Sequence, residues 1–291
     1  MKKTDVKNIL KLAKRSKWSV DDFDWDEPLS KDLDEKSKKL LGTAFLYISG
    51  IERLGASAFR IHSKNVNDED AAELFELFAQ DEERHADAEL AMAKRLGYEW
   101  KDLPWSARRM FKLLQKDLES LPEKEIGRWI HNVNCSSIMF FEFGLDSIVL
   151  PILKDMTNDK LQKKVWAKID KDESRHLAMD YWLIENRYER DKDREENPVK
   201  DTLMSDMRLA GQKALLPVFI AARMVYLVPG FLPFVRVGME LPMRREYFES
   251  YMKKVDQVPK SAPHAMEVKS FRIRENLVRK LLGRYSEEVV A

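Results

Sequence analysis

The amino-acid sequence predicts an all-helical protein, built around four long helices with a long central crossover and extra helices at the C-terminal end. Three observations support this prediction. Apolar residues recur at intervals of three and four along the long segments, as they do on the buried side of an amphipathic helix. The 291-residue chain contains only 10 glycines. No run shows the alternation of apolar and polar residues that is typical of a half-buried strand.

The first two long helices come early in the chain. By periodicity the first covers residues 36 to 64, and the second covers residues 68 to 96. Asn and Asp residues can cap the start of the second helix, and Gly97 follows its end. Residues 98 to 120 then contain two tryptophans, Pro104 and a short basic helix. This connection is long enough to cross from one end of a helix bundle to the other.

The third long helix is predicted to begin at Ser120, which can act as N-cap with Glu123 in the capping-box position, and to continue to about Lys154. The fourth is predicted over residues 158 to 190, where the sequence TNDK offers caps. By prediction the chain thus has an N-terminal arm with one short helix, a bundle domain, and a C-terminal helical extension with an apolar hairpin and a polar tail: residues 1–35, 36–190 and 191–291.

The composition argues against several kinds of function. Lys and Arg number 51 and Asp and Glu number 50, so the formal net charge of +1 does not favour nucleic-acid binding. The single cysteine, Cys135, can form neither an intrachain disulfide nor a cysteine-based zinc site, and a reducing, cytoplasmic compartment is expected. The basic N-terminus lacks the continuous apolar stretch of a secretory signal.

One apolar segment, residues 214 to 235, has the length of a membrane span and contains a single charge, Arg223. Three prolines and Gly230 interrupt it, and they would break a regular helix where lipid offers no partner for the freed backbone groups. We therefore expect a buried or lid-forming helical hairpin. Peripheral membrane contact through this segment is the alternative.

Two related pentapeptides, DEERH and DESRH, carry the strongest functional signal. Each places a glutamate three residues before a histidine, so both side chains lie on one face of a helix and can reach a single metal ion. A single such pair on a charged helix is weak evidence, but the chain contains it twice. The residues are Glu82 and His85 in the first motif, and Glu173 and His176 in the second.

Each motif is preceded by a glutamate in an apolar helix. Glu52 lies 30 residues before Glu82, and Glu142 lies 31 residues before Glu173. Burying an unpaired carboxylate costs on the order of several kcal/mol, so such a group is usually metal-bound, paired or neutral. Four carboxylates balance the charge of two divalent cations, and with two imidazoles they suit iron or manganese. The sequence therefore predicts a site for two metal ions.

The paired D-E-x-R-H motifs resemble those of bacterial multicomponent monooxygenase hydroxylases. Similar motifs occur in acyl-carrier-protein desaturases and in the aerobic cyclase of chlorophyll synthesis. These proteins belong to the ferritin-like di-iron carboxylate superfamily, and the resemblance covers about residues 36 to 190. It implies a ferritin-like bundle that holds two iron ions, or manganese or a mixed pair, and uses O2 as co-substrate. The implied metal ligands are Glu52, Glu82, His85, Glu142, Glu173 and His176.

The resemblance also implies supporting roles for other charged residues of the two motifs. Asp81 and Asp172 would orient the histidines, and Arg84 and Arg175 would pair crosswise with the aspartate of the opposite motif; surface charge is the simpler alternative.

Two further residues, His131 and Cys135, lie on the same predicted helical stripe as Glu142. They could line a cavity beside the metals, although buried packing is the more common role of such residues.

Some subfamilies do not fit. Glu89 stands where the small subunits of ribonucleotide reductases carry a radical tyrosine, and Ile169 stands where aminobenzoate-type N-oxygenases carry a histidine. A single cysteine cannot build the four-cysteine iron domain of rubrerythrins.

The function that we expect is that of an O2-activating di-iron oxidoreductase, of hydroxylase or desaturase type, which attacks a C–H bond of a small hydrophobic, fatty-acyl-like substrate. The chain has no flavin or nicotinamide fingerprint, so a ferredoxin or a reductase would supply electrons. The alternatives are a ferritin-like ferroxidase or iron-handling protein, and a metal-bound structural or membrane-peripheral partner without turnover. A monomer or homodimer fits the enzyme, whereas a many-subunit hollow particle fits storage.

Overall fold

The structure is a computed structural model that describes residues 5–120, 138–196, 227–267, 271–273 and 275–280. Every regular element in these ranges is a helix, and no strand occurs among them. The all-helical prediction is therefore confirmed for this part of the chain.

The first described range contains four α-helices and two short 3-10 helices. The α-helices are α1 (Val6–Arg15), α2 (Glu35–Asn65), α3 (Glu69–Arg95) and α4 (Trp105–Glu119). The 3-10 helices, Val20–Asp22 and Trp100–Asp102, lie before α2 and before α4.

In the later ranges, residues 138 to 157 form one helical run that changes type along its length. The later ranges contain α5 (Ile138–Gly144), a π-helical segment (Leu145–Val149), α6 (Leu150–Thr157), α7 (Lys160–Glu196), α8 (residues 227 to 240), α9 (Arg245–Ser261) and a 3-10 helix (Pro263–Glu267). Residues 271–273 and 275–280 are also helical.

Side-chain caps explain where α2 and α3 begin. Asp34 accepts a hydrogen bond from the backbone N–H of Ser37 at 2.8 Å, and Asp68 accepts one from Ala71 at 2.8 Å. Just after α3, Gly97 has φ +86°, a left-handed conformation that glycine adopts without steric cost. The observed ends of both helices agree with the prediction to within one residue.

The third predicted helix differs from expectation. Ser120 lies at the end of α4 and donates its hydroxyl to the carbonyl of Asp117 at 2.7 Å; residues 121 to 137, where this helix would begin, lie outside the described ranges. The described part continues past the predicted end at Lys154 to Thr157, and it stops where Asn158 adopts φ +45°. The π segment within it is an unpredicted feature.

The fourth predicted helix, α7, begins as expected and ends later. Asp159 accepts a hydrogen bond from the backbone N–H of Gln162 at 2.9 Å and so caps its first turn. The helix continues to Glu196, beyond the predicted end at residue 190. The charged run after residue 185 contains no helix breaker before Pro198, so nothing in it ends the helix earlier.

Helices α2 and α3 pack side by side as an antiparallel pair. Arg53 pairs with Asp87 and Arg60 pairs with Glu83, each at 2.7 Å. Residue numbers therefore rise along α2 in the direction in which they fall along α3. Helix α4 packs on α2, and α7 contacts both α3 and α5. One buried cluster joins several of these helices through Phe45, Met92, Phe111 and Trp166.

The arm and the later helices share these buried clusters. Leu10 of α1 packs with Phe75 of α3 and Met179 of α7. Phe143 of α5 packs with Val255 of α9 in a further cluster. The division into three parts at residues 35 and 190 stays a prediction.

Most of the apolar segment 214–235 lies outside the described residues, and its described part belongs to α8. Pro229 and Pro233 lie within this helix, so the expectation that they interrupt it is wrong for this part. The hydroxyl of Tyr47 donates to the carbonyl of Gly230 at 3.3 Å and so connects α2 to α8. Among the described helices, none has the length and apolar character needed to cross a membrane.

Candidate metal centre

Six buried acidic and histidine side chains meet between four helices. They are Glu52 of α2, Glu82 and His85 of α3, Glu142 of α5, and Glu173 and His176 of α7, and we call them the cluster. Each is at most 7% exposed. The structure thus brings together all six residues that the sequence predicts as ligands.

The donor atoms of the cluster form two overlapping groups that could each hold a metal ion. In each group every residue offers one oxygen or nitrogen atom, and these atoms lie within 4.8 Å of one another. Glu82 belongs to both groups. One group consists of Glu52, Glu82 and His85, and the other of Glu82, Glu142, Glu173 and His176.

His85 presents its two ring nitrogens to different partners. Its Nδ1 lies 3.1 Å from a carboxylate oxygen of Glu173, while its Nε2 lies 3.1 Å from Oδ2 of Asp172. An aspartate at Nε2 accepts the ring N–H there, so the lone pair of Nδ1 faces the cluster. This neutral tautomer belongs to the metal-bound state, and in the metal-free protein Nδ1 can also carry a proton toward Glu173.

His176 has the corresponding neighbours on the exchanged helices, but its Nε2 makes no hydrogen bond among the described residues. Its Nδ1 lies 3.1 Å from Glu82, and its Nε2 lies 3.7 Å from Asp81. Each aspartate therefore faces the histidine of the other motif. The reason is the antiparallel course of α3 and α7, which sets the first residue of one motif beside the last residue of the other.

Two arginines connect the motifs at the edge of the cluster. Arg84 pairs with Asp81 in its own motif and lies 3.4 Å from Asp172 in the other. Arg175 pairs with Asp172 and lies 3.7 Å from Asp81. The crosswise contacts implied by the resemblance are thus present, together with a contact inside each motif. Two positive and two negative side chains make this network electrically balanced.

Trp18, a residue that the sequence does not single out, completes the surroundings of His85. Its indole Nε1–H donates to Oδ2 of Asp172 at 2.8 Å, and its ring stacks on His85 with centroids 6.2 Å apart. The guanidinium of Arg84 lies 5.0 Å from the indole centroid. Burial raises the pKa of Asp172, but hydrogen bonds from His85 and Trp18 and the charge of Arg175 outweigh it, so the pKa lies well below its usual value.

The carboxylates of the cluster repel one another. Burial and the charge of Glu82 raise the pKa of Glu52 well above its usual range, and burial with the charge of Glu173 does the same for Glu142. Burial also raises the pKa of Glu173, but His176 and His85 outweigh it and hold this pKa well below its usual value. Without cations the cluster can therefore carry only part of its negative charge.

Several buried atoms of the cluster make no well-aligned hydrogen bond, although the histidine nitrogens among them lie 3.1 Å from carboxylate oxygens. They include Oε1 of Glu82, Oε2 of Glu173 and Nδ1 of both His85 and His176. A buried polar atom left unpaired costs about 1–3 kcal/mol, so a concentration of such atoms needs a compensating group. Acceptor atoms that face one another are compensated by a cation, and this donor set fits iron or manganese.

Two more buried acids flank the cluster, and the sequence interpretation missed their role. Glu89 lies one turn after His85, and Asp180 lies one turn after His176; both are at most 1% exposed and have unpaired oxygens. Burial first, and then the charge of Glu52, raise the pKa of Glu89 well above its usual value; burial does the same for Asp180. The signal was present, because both motifs extend to E-x-x-H-x-x-x-[E/D].

A glycine makes room for the shared carboxylate. A Cβ atom on Gly55 would lie 3.0 Å from Oε2 of Glu82.

The π segment begins three residues after Glu142, and such segments are frequent at functional sites. Asp146 within it pairs with Lys254 of α9 at 2.7 Å.

The predicted cavity residues His131 and Cys135 lie outside the described residues.

Comparisons with protein-family models, with curated proteins and with solved structures find no match to this chain. The interpretation of its function therefore depends on the chemistry of the cluster.

Proposed function

We propose that this protein is an O2-activating oxidoreductase that carries two iron ions, or manganese or a mixed pair, in a ferritin-like four-helix bundle. The supporting observation is the cluster, with four buried carboxylates and two buried imidazoles in two overlapping donor groups. Hard oxygen donors with imidazole nitrogens suit these metals, and four carboxylates balance two divalent charges.

The helix order supports the ferritin-like bundle. The ligand-bearing helices are α2, α3, α5 and α7, and two of them carry a Glu-x-x-His motif while the other two carry one glutamate each. This division is the one found in di-metal carboxylate bundles. Helix α4 lies in the connection between the second and third ligand-bearing helices and packs on α2.

The residues of the cluster divide between two positions. Glu52 and His85 would hold one ion, Glu142, Glu173 and His176 would hold the other, and Glu82 belongs to both groups. Bound there, the ions would supply the electrons for O2 reduction and the oxidising power for attack on a C–H bond.

The remaining side chains prepare the site for this chemistry. Asp172 accepts a hydrogen bond from Nε2 of His85 and so directs Nδ1 of this ring toward the cluster, and Asp81 lies 3.7 Å from Nε2 of His176. Phe59 and Phe78 lie against His176, with ring centroids at 5.1 and 4.2 Å, and exclude water from that side. Glu89 and Asp180 are buried beside the cluster, one turn after the histidines, and burial raises the pKa of both carboxyls.

The proposed substrate is hydrophobic and fatty-acyl-like. The surroundings of Glu142 support this class, because Phe140 and Phe143 beside it are buried and apolar. Hydroxylation and desaturation both fit. Electrons would come from a separate ferredoxin or reductase, since the sequence carries no flavin or nicotinamide fingerprint.

We further propose a cytoplasmic location, with peripheral membrane contact through residues 214–235 as the alternative site of action. Val228 and Leu232 on α8 are each 49% exposed, which leaves apolar surface available for such contact. Sedimentation with phospholipid vesicles tests it, with Val228→Asp/Leu232→Asp as the variant that should stay in the supernatant.

Metal analysis and oxygen consumption test the proposal directly. Protein loaded anaerobically with Fe²⁺ should hold about two ions per chain, and Glu142→Ala/Glu173→Ala should lose most of this metal while its helical circular dichroism is kept. Reductant-dependent O2 uptake should be coupled to product from a fatty-acyl substrate. Full metal retention in the double variant would refute the ligand set.

Size-exclusion chromatography separates this proposal from the alternative, a ferritin-like ferroxidase. A monomer or homodimer fits the oxidoreductase. A many-subunit hollow particle that oxidises and stores iron without an organic substrate would contradict the oxidoreductase proposal and would favour an iron-handling function.

A further inference from the structure

A concave site lies beside α2 and α3, two of the helices that carry the cluster. It is a cavity of about 1000 Å³ between α2, α3, α4 and the 3-10 helix before α4. Arg53 directly follows Glu52, and Leu90 directly follows Glu89, so the cavity lies beside the cluster but outside it. Its volume is typical of sites for small molecules. We call it the α4 cavity.

Positive charge is concentrated in the α4 cavity. Five cationic side chains line it, and Glu119 is the one acid among the described lining residues. The cations are Arg53, Arg108, Arg109, Lys112 and Lys116. The whole chain carries a net charge of only +1, so this concentration is local.

The cations of α4 are not explained by internal pairing. Arg53 pairs with Asp87, but the four cations of α4 have no acidic partner within ion-pair distance among the described residues. Arg108 donates to the carbonyl of Leu103, and Arg109 lies over the ring of Trp105 at 5.1 Å. Like charges one turn apart destabilise a helix, so this arrangement has an energetic cost that an anionic ligand would offset.

The rest of the α4 cavity is apolar and aromatic. Trp100, Phe111, Leu90 and Leu113 line it together with Trp105. The side chain of Trp105 is 65% exposed, whereas tryptophan is usually well buried. An exposed indole beside an arginine offers a flat surface on which an aromatic ring or an alkyl chain can lie.

We propose that the α4 cavity binds an anionic ligand in which a phosphate group is joined to an aromatic or apolar body. Arginine forks and lysine ammonium groups match phosphate oxygens, and the indole and aliphatic side chains match the body. Nucleotides and phospholipid-like molecules share this chemistry. The site is separate from the proposed oxidoreductase centre and does not depend on it.

Isothermal titration calorimetry of the full-length protein tests this site with three probes. They are ADP for a nucleotide, decyl phosphate below its micelle concentration for a lipid, and inorganic pyrophosphate for charge alone. We expect saturable binding of ADP or decyl phosphate with one site per chain, and at least tenfold weaker binding of pyrophosphate. The tighter of the two organic probes identifies the source of the phosphate.

Charge-reversed variants locate the binding. Lys112→Glu/Lys116→Glu should weaken binding of the organic probe by at least tenfold. Lys168→Glu/Lys171→Glu on α7 changes the net charge equally at exposed lysines, and it should leave the affinity unchanged. Trp105→Ala, at an exposed position, should also weaken the organic probe but not pyrophosphate. Thermal melts establish that each variant is folded.

Three results would overturn the proposal. The first is the absence of saturable binding by either organic probe. The second is equal weakening by the α4 and the α7 variants, which shows an effect of net charge alone. The third is pyrophosphate binding as tight as that of the organic probes, which shows that the aromatic side of the cavity contributes nothing.

Discussion

Trp18 belongs to the N-terminal arm, yet it contacts three residues of the two motifs. Its N–H donates to Asp172, and its ring lies against His85 and Arg84. The hydrogen bond fixes the aspartate that in turn fixes the tautomer of the histidine. An arm that the sequence presents as a short appended segment is therefore part of the proposed metal centre.

Replacing Trp18 by phenylalanine should remove this donor and keep most of the packing. Hydrogen bonds to charged groups contribute about 1.5–3 kcal/mol, and we expect the free energy of unfolding to fall by that order. Loss of a partner behind a metal ligand typically weakens metal binding about tenfold or more. Urea unfolding and Mn²⁺ titration measure the two effects. Trp105→Phe, at an exposed indole without a carboxylate partner, should change neither; unchanged Mn²⁺ affinity in Trp18→Phe would contradict the role.

Glu89 and Asp180 can be tested with amides of the same shape. In the metal-free protein at pH 8, Glu89→Gln and Asp180→Asn should raise the free energy of unfolding, because the fold no longer has to hold a proton on a buried carboxyl. The gain approaches about 1.4 kcal/mol per pH unit above the usual pKa while the native group stays protonated. Chemical unfolding at pH 5 and pH 8 measures it. Glu240→Gln, at an exposed acid, is the control; an equal effect there would contradict the assignment.

At the scale of elements, the close packing of α2 on α3 determines where Glu82 lies. Gly55 provides the space, since an added Cβ would lie 3.0 Å from Oε2 of this carboxylate. The helices themselves are well specified by caps and periodicity. The position of the Glu82 carboxylate, however, depends on one residue without a side chain.

Gly55→Ala should therefore displace the Glu82 carboxylate and weaken Mn²⁺ binding several-fold. Alanine is about 1 kcal/mol more favourable than glycine inside a helix, so the metal-free protein should be no less stable than the native one. Gly238→Ala in α8 is the control, because its Cβ would meet nothing within 4 Å. Mn²⁺ titration with thermal melts measures both; weakened binding in both variants would point to a general effect of helix stiffening.

The helical run that carries Glu142 has features that the local sequence pattern does not predict. Its apolar spacing indicates a helix, and residues 138 to 157 are helical. The π segment Leu145–Val149 and the pairing of Asp146 with Lys254 depend on α9, which lies about a hundred residues later in the chain. Contacts with such a distant element leave no local pattern.

For the whole molecule, the buried charges determine how stability varies with pH. The pKa values of Glu52, Glu89, Glu142 and Asp180 lie above their usual values, so the folded state holds protons that the unfolded state has lost. Stability of the metal-free protein must then fall as pH rises above about 4 to 4.5. The pKa of His85 acts in the same direction: burial lowers it, but Asp172 and Glu173 raise it to about 10, and this stability is lost above pH 6.5. Glu173, with its lowered pKa, contributes stability that is lost only below pH 4.5.

Metal binding should reverse this trend. Divalent ions bind deprotonated carboxylates and neutral imidazoles, so binding releases protons and strengthens as pH rises. We expect the melting temperature of the metal-free protein to be highest near pH 5 and to fall toward pH 8.5. The increase produced by saturating Mn²⁺ should grow over the same interval. Differential scanning calorimetry at pH 5, 7 and 8.5 measures both; a Mn²⁺ effect that shrinks with pH would contradict the assignment of the cluster as a cation site.

Much of the fold and of the cluster is readable from the sequence because the signals are local. The bounds of α2 and α3 follow from caps and periodicity, and the ligand candidates follow from acids in apolar helices at matched spacing. Glu89 and Asp180 were also predictable, since each lies one helical turn after the histidine of its motif. A comparison limited to the five residues of each motif does not include them.

The sequence by itself determined the helical class, the bounds of α2 and α3 and the six residues of the cluster, because caps mark helix ends and spacing along a helix specifies which side chains share a face. Only the tertiary structure decided which histidine faces which aspartate, that Trp18 closes the arrangement, and that cations of α4 line a cavity beside it. These depend on the antiparallel course of α3 and α7 and on contacts between residues far apart in the chain. The local sequence pattern does not predict contacts between residues so far apart in the chain.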